Sequence, residues 1–134
     1  MSATPARRRD ARERAMELLY EAETKTVSVA TVIDELPVPP ADYASRLALG
    51  AADHVERSDV LIRQFARPDW PLERMPMLDR IVMRMAVYEL LEEHDVDRGV
   101  ILNEAVELAK RFSTDDSHRY VNGMLSSIAN ELGR

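Results

Sequence analysis

Apolar residues recur every three or four positions along most of the chain, and no stretch alternates apolar and polar residues over strand length. The pattern predicts seven helices. The first covers about residues 5–23, with Ala11, Ala15, Leu18, Leu19 and Ala22 on one face. Thr4 suits its N-cap and Pro5 its first position. The second covers about residues 28–36, with Val29, Val32, Ile33 and Leu36 inward. Pro37, Pro39 and Pro40 stop it, because proline donates no helix hydrogen bond and restricts the residue before it. A third helix, about residues 40–56, carries the stripe Tyr43, Leu47, Gly50, Ala51 and Val55. Ser58 is the expected cap of a fourth, in which Val60, Leu61, Ile62 and Phe65 supply apolar surface up to Arg67-Pro68.

Trp70, between Pro68 and Pro71, reads as an anchor for its loop, and one further turn is expected near residues 72–75. A long helix over about residues 77–93 turns Leu78, Ile81, Val82, Met85 and Leu90 inward and Asp79, Arg80, Arg84 and Glu92 outward. The next, about residues 100–112, places Ile101, Ala105, Leu108, Ala109 and Phe112 on one face. Residues 113–116 supply cap candidates for a last helix carrying Val121, Met124, Leu125, Ile128 and Leu132. Gly50 and Ala51 invite close approach by another helix. Gly123 costs about 1 kcal/mol relative to alanine, which close packing of a neighbouring backbone would explain. The expected class is all-α, packed as a bundle or a pair of small bundles.

Composition narrows the class of protein. A chain of 134 residues, 46% hydrophobic and 31% charged, fits one soluble globular domain. The absence of cysteine excludes disulfides and cysteine-ligated zinc. No apolar run is long enough to span a bilayer, and the first residues lack the apolar core of a secretory signal, so a cytoplasmic location is expected.

Charge is unevenly placed. The net charge is −6, yet residues 1–14 carry +3, leaving −9 for the remainder. Arg7, Arg8, Arg9, Arg12 and Arg14 crowd a helix N-terminus, where the helix dipole disfavours cations. They lie mostly off the apolar face. The excess reads as placed for an anionic partner, with a solvated arm as the alternative.

Other chemistry is sparse. His54, His94 and His118 lack a ligand spacing, so no metal is expected. No phosphate-cradling glycine loop or nucleophile elbow is present, and no cofactor is expected. The pairs Glu92-Glu93 and Asp115-Asp116 read as solvated faces or caps rather than acid–base dyads, so no enzyme is expected. Arginine grips phosphate bidentately and stacks on bases, and exposed aromatics stack single-stranded RNA. Tyr20 ends the arginine-bearing helix, and Arg119-Tyr120 offers a second arginine–aromatic pair. Together they suggest an RNA groove, with half-buried core tyrosines as the alternative.

Three segments add a family resemblance. The runs ARRRDARERAMELLYEAE, LDRIVMRMAVYELL and ILNEAVELAKRFSTDDSHRYVNGML resemble the opening helix, central helix and C-terminal signature of the NusB family of transcription antitermination factors. Residues 24–72 match only in helical character. The same domain resembles the RNA-binding part of certain rRNA cytosine methyltransferases, for whose catalytic domain this chain has no room. The resemblance implies seven helices in two subdomains, here about residues 1–70 and 71–134. It implies binding of boxA RNA together with NusE, a small-subunit ribosomal protein, and action on the RNA polymerase elongation complex, chiefly at ribosomal RNA operons. Relatives are monomers or homodimers when free. By position, Arg8, Arg9 and Arg12, with Arg7 nearby, would contact RNA, joined by Tyr20, Arg84 and Tyr120. Asp79 and Asp116 fall where the family has acidic residues near the partner and RNA surfaces. Asp10 interrupts the basic run and leaves the register of individual arginine contacts open. Asn103, Glu104 and Asn122 match the signature, and for the two asparagines capping or inter-helix hydrogen bonds are expected. Two other readings stand beside this one: an RNA-independent protein-interaction module suited to a basic partner, and a stand-alone relative of the methyltransferase domain.

Overall fold

The computed structural model describes residues 5–114 and 116–134, so the expected cap Thr4 and Asp115 lie outside the described residues. Among the described residues the chain is all-α, with seven helices and no strand. Helix α1 spans Pro5–Lys25. It closes on Thr26, whose φ of 56° lies in the left-handed region. The Thr26 N–H donates to the Glu23 carbonyl at 3.2 Å and the Val27 N–H to the Ala22 carbonyl at 3.0 Å. These two bonds satisfy carbonyls the helix end leaves orphaned, in a position glycine usually fills. Ser28 then caps α2, Val29–Asp34, accepting from the Thr31 N–H at 3.2 Å.

Helices α3, Asp42–Asp53, and α4, Val55–Phe65, meet at a single residue, His54. The expected boundary at Ser58 is therefore four residues late. Ser58 lies within α4 and is buried, its N–H donating to the His54 carbonyl at 2.9 Å. His54 also reaches back through Nδ1 to the Gly50 carbonyl at 2.8 Å. Val60 does not join the core; it is 64% exposed. A 3-10 turn at Leu72–Arg74 follows, as expected.

Helix α5, Met77–Glu92, lies at the centre, packed against α1, α3, α4, α6 (Arg98–Phe112) and α7 (Ser117–Glu131). From Ile81 to Leu91 every residue except Arg84 is buried. A helix enclosed on all sides needs no polar face, so the one-sided stripe expected for it is incomplete: Met83, Ala86 and Val87 are core as well. The buried apolar side chains form one cluster with members from every α-helix. Arg134 closes the far end, its guanidinium donating to the carbonyls of Leu90 and Val96.

The two glycine expectations fare differently. A Cβ at Gly50 would lie 2.3 Å from the Tyr88 ring, so the close approach there is by an aromatic side chain of α5. A Cβ at Gly123 would meet nothing within 4 Å, so close packing does not explain that residue.

Candidate nucleic-acid interface

The arginines of α1 do not share one environment. Arg12 lies inside: it and Glu89 of α5 each expose only 3% of their side chains. Its Nε and Nη2 donate to the two Glu89 carboxylate oxygens at 2.9 and 2.8 Å, and the Tyr43 hydroxyl donates to Glu89 at 2.9 Å. Burial pulls the Arg12 pKa down, and the hydrogen bond and charge of Glu89 more than reverse it, so its pKa ends raised. Tyr43 is pushed above its ordinary value, first by burial and then by Glu89. The expectation of Arg12 on the outer face is thus corrected. One helical turn past Arg8 and Arg9, α1 already lies against α5, and a desolvated charge there requires a paired acid.

Arg7, Arg8 and Arg9 precede that turn. Arg7 is exposed. Arg8 donates to Asp95, in the loop before α6, at 3.2 Å, and its guanidinium carbon lies 4.9 Å from the Tyr43 ring centroid. Arg46 of α3 sits 5.0 Å from the same centroid and donates to Glu93 at 2.9 Å. Arg9 forks onto Glu104 of α6, Nε and Nη2 reaching the carboxylate at 3.1 and 2.9 Å, while 60% of its side chain stays exposed. The Glu104 hydrogen bond raises the Arg9 pKa, and that of Arg8 lowers the Asp95 pKa.

The α1–α6 seam continues away from the arginines. Glu13 accepts from Arg111 at 2.7 Å. Arg111 in turn lies 4.7 Å from the Phe112 ring centroid. Beyond it, Tyr20 and Phe112 line an open groove of ≈ 490 Å³ with Met16, Glu17 and Leu78. Both rings are exposed. The spacing of Phe112 from Leu108 predicts it inward, but 38% of it is exposed, because α6 ends there. Positions 9, 13, 16 and 20 of α1 thus lead from cation to exposed aromatic along one seam.

The remaining candidates lie elsewhere. Arg84 grips Asp59 of α4 at 2.8 and 2.9 Å and borders an apolar groove with Leu19, Leu49 and Ile81. Tyr120 clasps the loop after α4: its hydroxyl donates to the Trp70 carbonyl at 2.8 Å and accepts from the Arg67 N–H at 2.9 Å. The Trp70 and Tyr120 rings lie 4.2 Å apart, so Trp70 anchors its loop as expected. Tyr120, Asp116 and Arg119 line a second open cleft with Phe65 and Arg67.

Asp79, expected outward as a partner contact, is 1% exposed and has no hydrogen-bond partner on either oxygen among the described residues. Its place in the first turn of α5, where the helix dipole favours an anion, offsets part of that burial. Asn103 and Asn122 are exposed and form no inter-helix hydrogen bond among the described residues. Glu93 is not a solvated acid; it accepts from Arg46 and from the Tyr88 hydroxyl. Arg46, Arg111 and Phe112 are surface residues of these faces that the sequence pattern alone does not single out. For Arg46 the available signal is its spacing of three from Tyr43, which places both on one side of α3.

Comparison with known proteins joins these faces to a family. The NusB family profile matches residues 9–130. The transcription antitermination protein NusB of Symbiobacterium thermophilum is 43% identical over 135 residues, covering 90% of this chain and 88% of that protein. The one from Salinispora arenicola is 44% identical over 132 residues, covering 93% and 96%. Among solved structures, T. maritima NusB superposes with a TM-score of 0.84 at 31% identity, covering 98% of this chain and 94% of that one. A crystal structure of antitermination factors NusB and NusE in complex with dsRNA gives 0.77 at 25% identity, covering 92% and 96%. The matched stretch runs from Arg9 on the α1–α6 seam to the last turn of α7, and on that extent the chain belongs to the NusB family.

Proposed function

We propose that this protein is a transcription antitermination factor that binds boxA RNA together with NusE and supports elongation through ribosomal RNA operons. Family membership over residues 9–130 carries the reading, and a relative solved with NusE and dsRNA supports both partners. The α1–α6 seam suits single-stranded RNA. Arg7, Arg8 and Arg9 offer charge to phosphates, and Tyr20 with Phe112 offers exposed rings for bases. Tyr120, Asp116 and Arg119 supply a second cleft for RNA or partner. The −9 balance outside residues 1–14 suits a basic ribosomal protein. No catalytic step is assigned.

The test is fluorescence anisotropy with boxA RNA and a scrambled control, with and without NusE. NusE should tighten binding to boxA and not to the control. Arg8→Ala with Arg9→Ala should weaken binding and lower the salt slope by up to roughly 1.4, at most about 0.7 for each single-strand phosphate left without its arginine. A double variant that binds like the unsubstituted chain refutes the arginine assignment. A complex that binds no better than NusE alone favours the protein-interaction module instead.

A further inference from the structure

Two arginines at the start of α1 already hold carboxylates. Arg9 forks onto Glu104 in the geometry an arginine offers a phosphate, with Nε and Nη2 on the carboxylate. Arg8 donates to Asp95. Both acids reach α1 through their side chains: Glu104 from the middle of α6, Asp95 from the loop before it. These pairs differ from Arg12–Glu89, which is shut away from solvent on both sides. In Arg9–Glu104 the arginine is open to solvent, and in Arg8–Asp95 the acid is. An incoming phosphate can reach Arg9 directly, and reaches Arg8, whose side chain is 16% exposed, only as Asp95 swings away.

We infer that Asp95 and Glu104 occupy, in the free protein, the anion positions that RNA phosphates take, so that RNA binds by exchanging phosphate for carboxylate. This rests on the antitermination reading of the same face. The exchange has two consequences. Each released carboxylate removes part of the gain from its phosphate contact. Each also gathers cations as it is freed, which offsets part of the counterion release from RNA and flattens the salt dependence. The acids thereby favour ligands that engage several arginines at once over isolated anions.

The experiment measures the same boxA RNA against Glu104→Gln, Asp95→Asn and both together, in the presence of NusE, over a salt series. Glu107→Gln is the control. Glu107 lies one turn along α6, close enough to influence Arg9, but its own partner is Lys110 at 3.7 Å. The exchange predicts that Glu104→Gln and Asp95→Asn each tighten binding by about 1.5- to 5-fold, the range for releasing one exposed ion pair, with a steeper salt slope. Glu107→Gln should give less than either. Equal tightening by Glu104→Gln and Glu107→Gln means general charge repulsion only, and overturns the exchange. Weaker binding by Glu104→Gln means the carboxylate orients Arg9 for RNA, and overturns it as well. If the unsubstituted chain with NusE does not prefer boxA to the scrambled RNA, the antitermination reading fails and the exchange falls with it.

Discussion

Removing the Arg12 side chain should expose how much of the fold hangs on one buried ion pair. Arg12→Met keeps length and packing but leaves the buried Glu89 carboxylate with the Tyr43 hydroxyl as its only remaining donor among the described residues. Breaking a buried pair from one side costs about 3–5 kcal/mol, because the stranded charge stays desolvated. With an unfolding entropy of about 2.1 cal/mol/K per residue over 134 residues, that is a fall in Tm of roughly 10–18 °C. Replacing both charges, Arg12→Met with Glu89→Leu, should recover most of the loss, since apolar pairs of similar volume are often as stable as the ions they replace. Adding Tyr43→Phe removes the hydroxyl that Glu89 had accepted from. Urea unfolding followed by circular dichroism measures all three variants. A single variant costing under about 1 kcal/mol, or a double no better than the single, would refute the reasoning. The restored double also serves a second purpose. It should bind RNA like the unsubstituted chain, because Arg12 lies beneath the arginine face rather than on it.

Three further outcomes follow from local geometry. Gly50→Ala drives a methyl group to 2.3 Å from the Tyr88 ring, whose hydroxyl is tied to Glu93; overpacking of this kind should cost about 1–3 kcal/mol in urea unfolding. Thr26→Gly relieves a β-branched residue at φ 56° and should stabilise by roughly 0.5–1 kcal/mol, the left-handed strain less the added chain entropy of glycine; an unchanged urea midpoint would count against strain there. Stability should also fall in alkali. Burial, then Glu93, pushes the Tyr88 pKa up to about 12, and Tyr43 is raised likewise. The unfolded chain loses these protons near pH 10 and the folded one holds them longer. The raised values stabilise the fold fully below about pH 10, and that contribution is lost as pH rises toward the folded value. Urea midpoints measured from pH 8 to 11.5 should decline above 10, and Tyr88→Phe should flatten the decline.

The helices were legible because their core contacts repeat locally. Leu18, Ile62, Ile101 and Leu125 are buried where period and proline punctuation placed them. The interior charges were not legible. A charged residue normally marks the outer face, and what reverses that for Arg12 is a carboxylate 77 residues away. The pairing of Arg9 spans 95 residues and that of Arg111 spans 98, so neither leaves a trace in any local window. Ser58 misled for a different reason. Its hydroxyl and the residues after it suited a cap, but His54 interrupts the helix one turn earlier through its own backbone. The candidate site was read in its residue types and not in its geometry. Tyr20, Arg7 and Arg9 are at the surface and Arg8 is partly buried, whereas Phe112 and Arg46 entered only once the side chains of α6 and α3 were seen against those of α1.

The enclosure of α5 also sets how the chain opens. Its backbone amides between Val82 and Leu90 are covered by five neighbouring helices, so no partial fraying of one neighbour admits solvent to all of them. Hydrogen exchange there should proceed only through global unfolding, while α2 and the proline-rich stretch after it exchange by local opening. The central helix would then report the stability of the whole chain in a single exchange rate. A slow-exchanging core confined to α6 and α7 would mean instead that the N-terminal helices come away as a unit of their own.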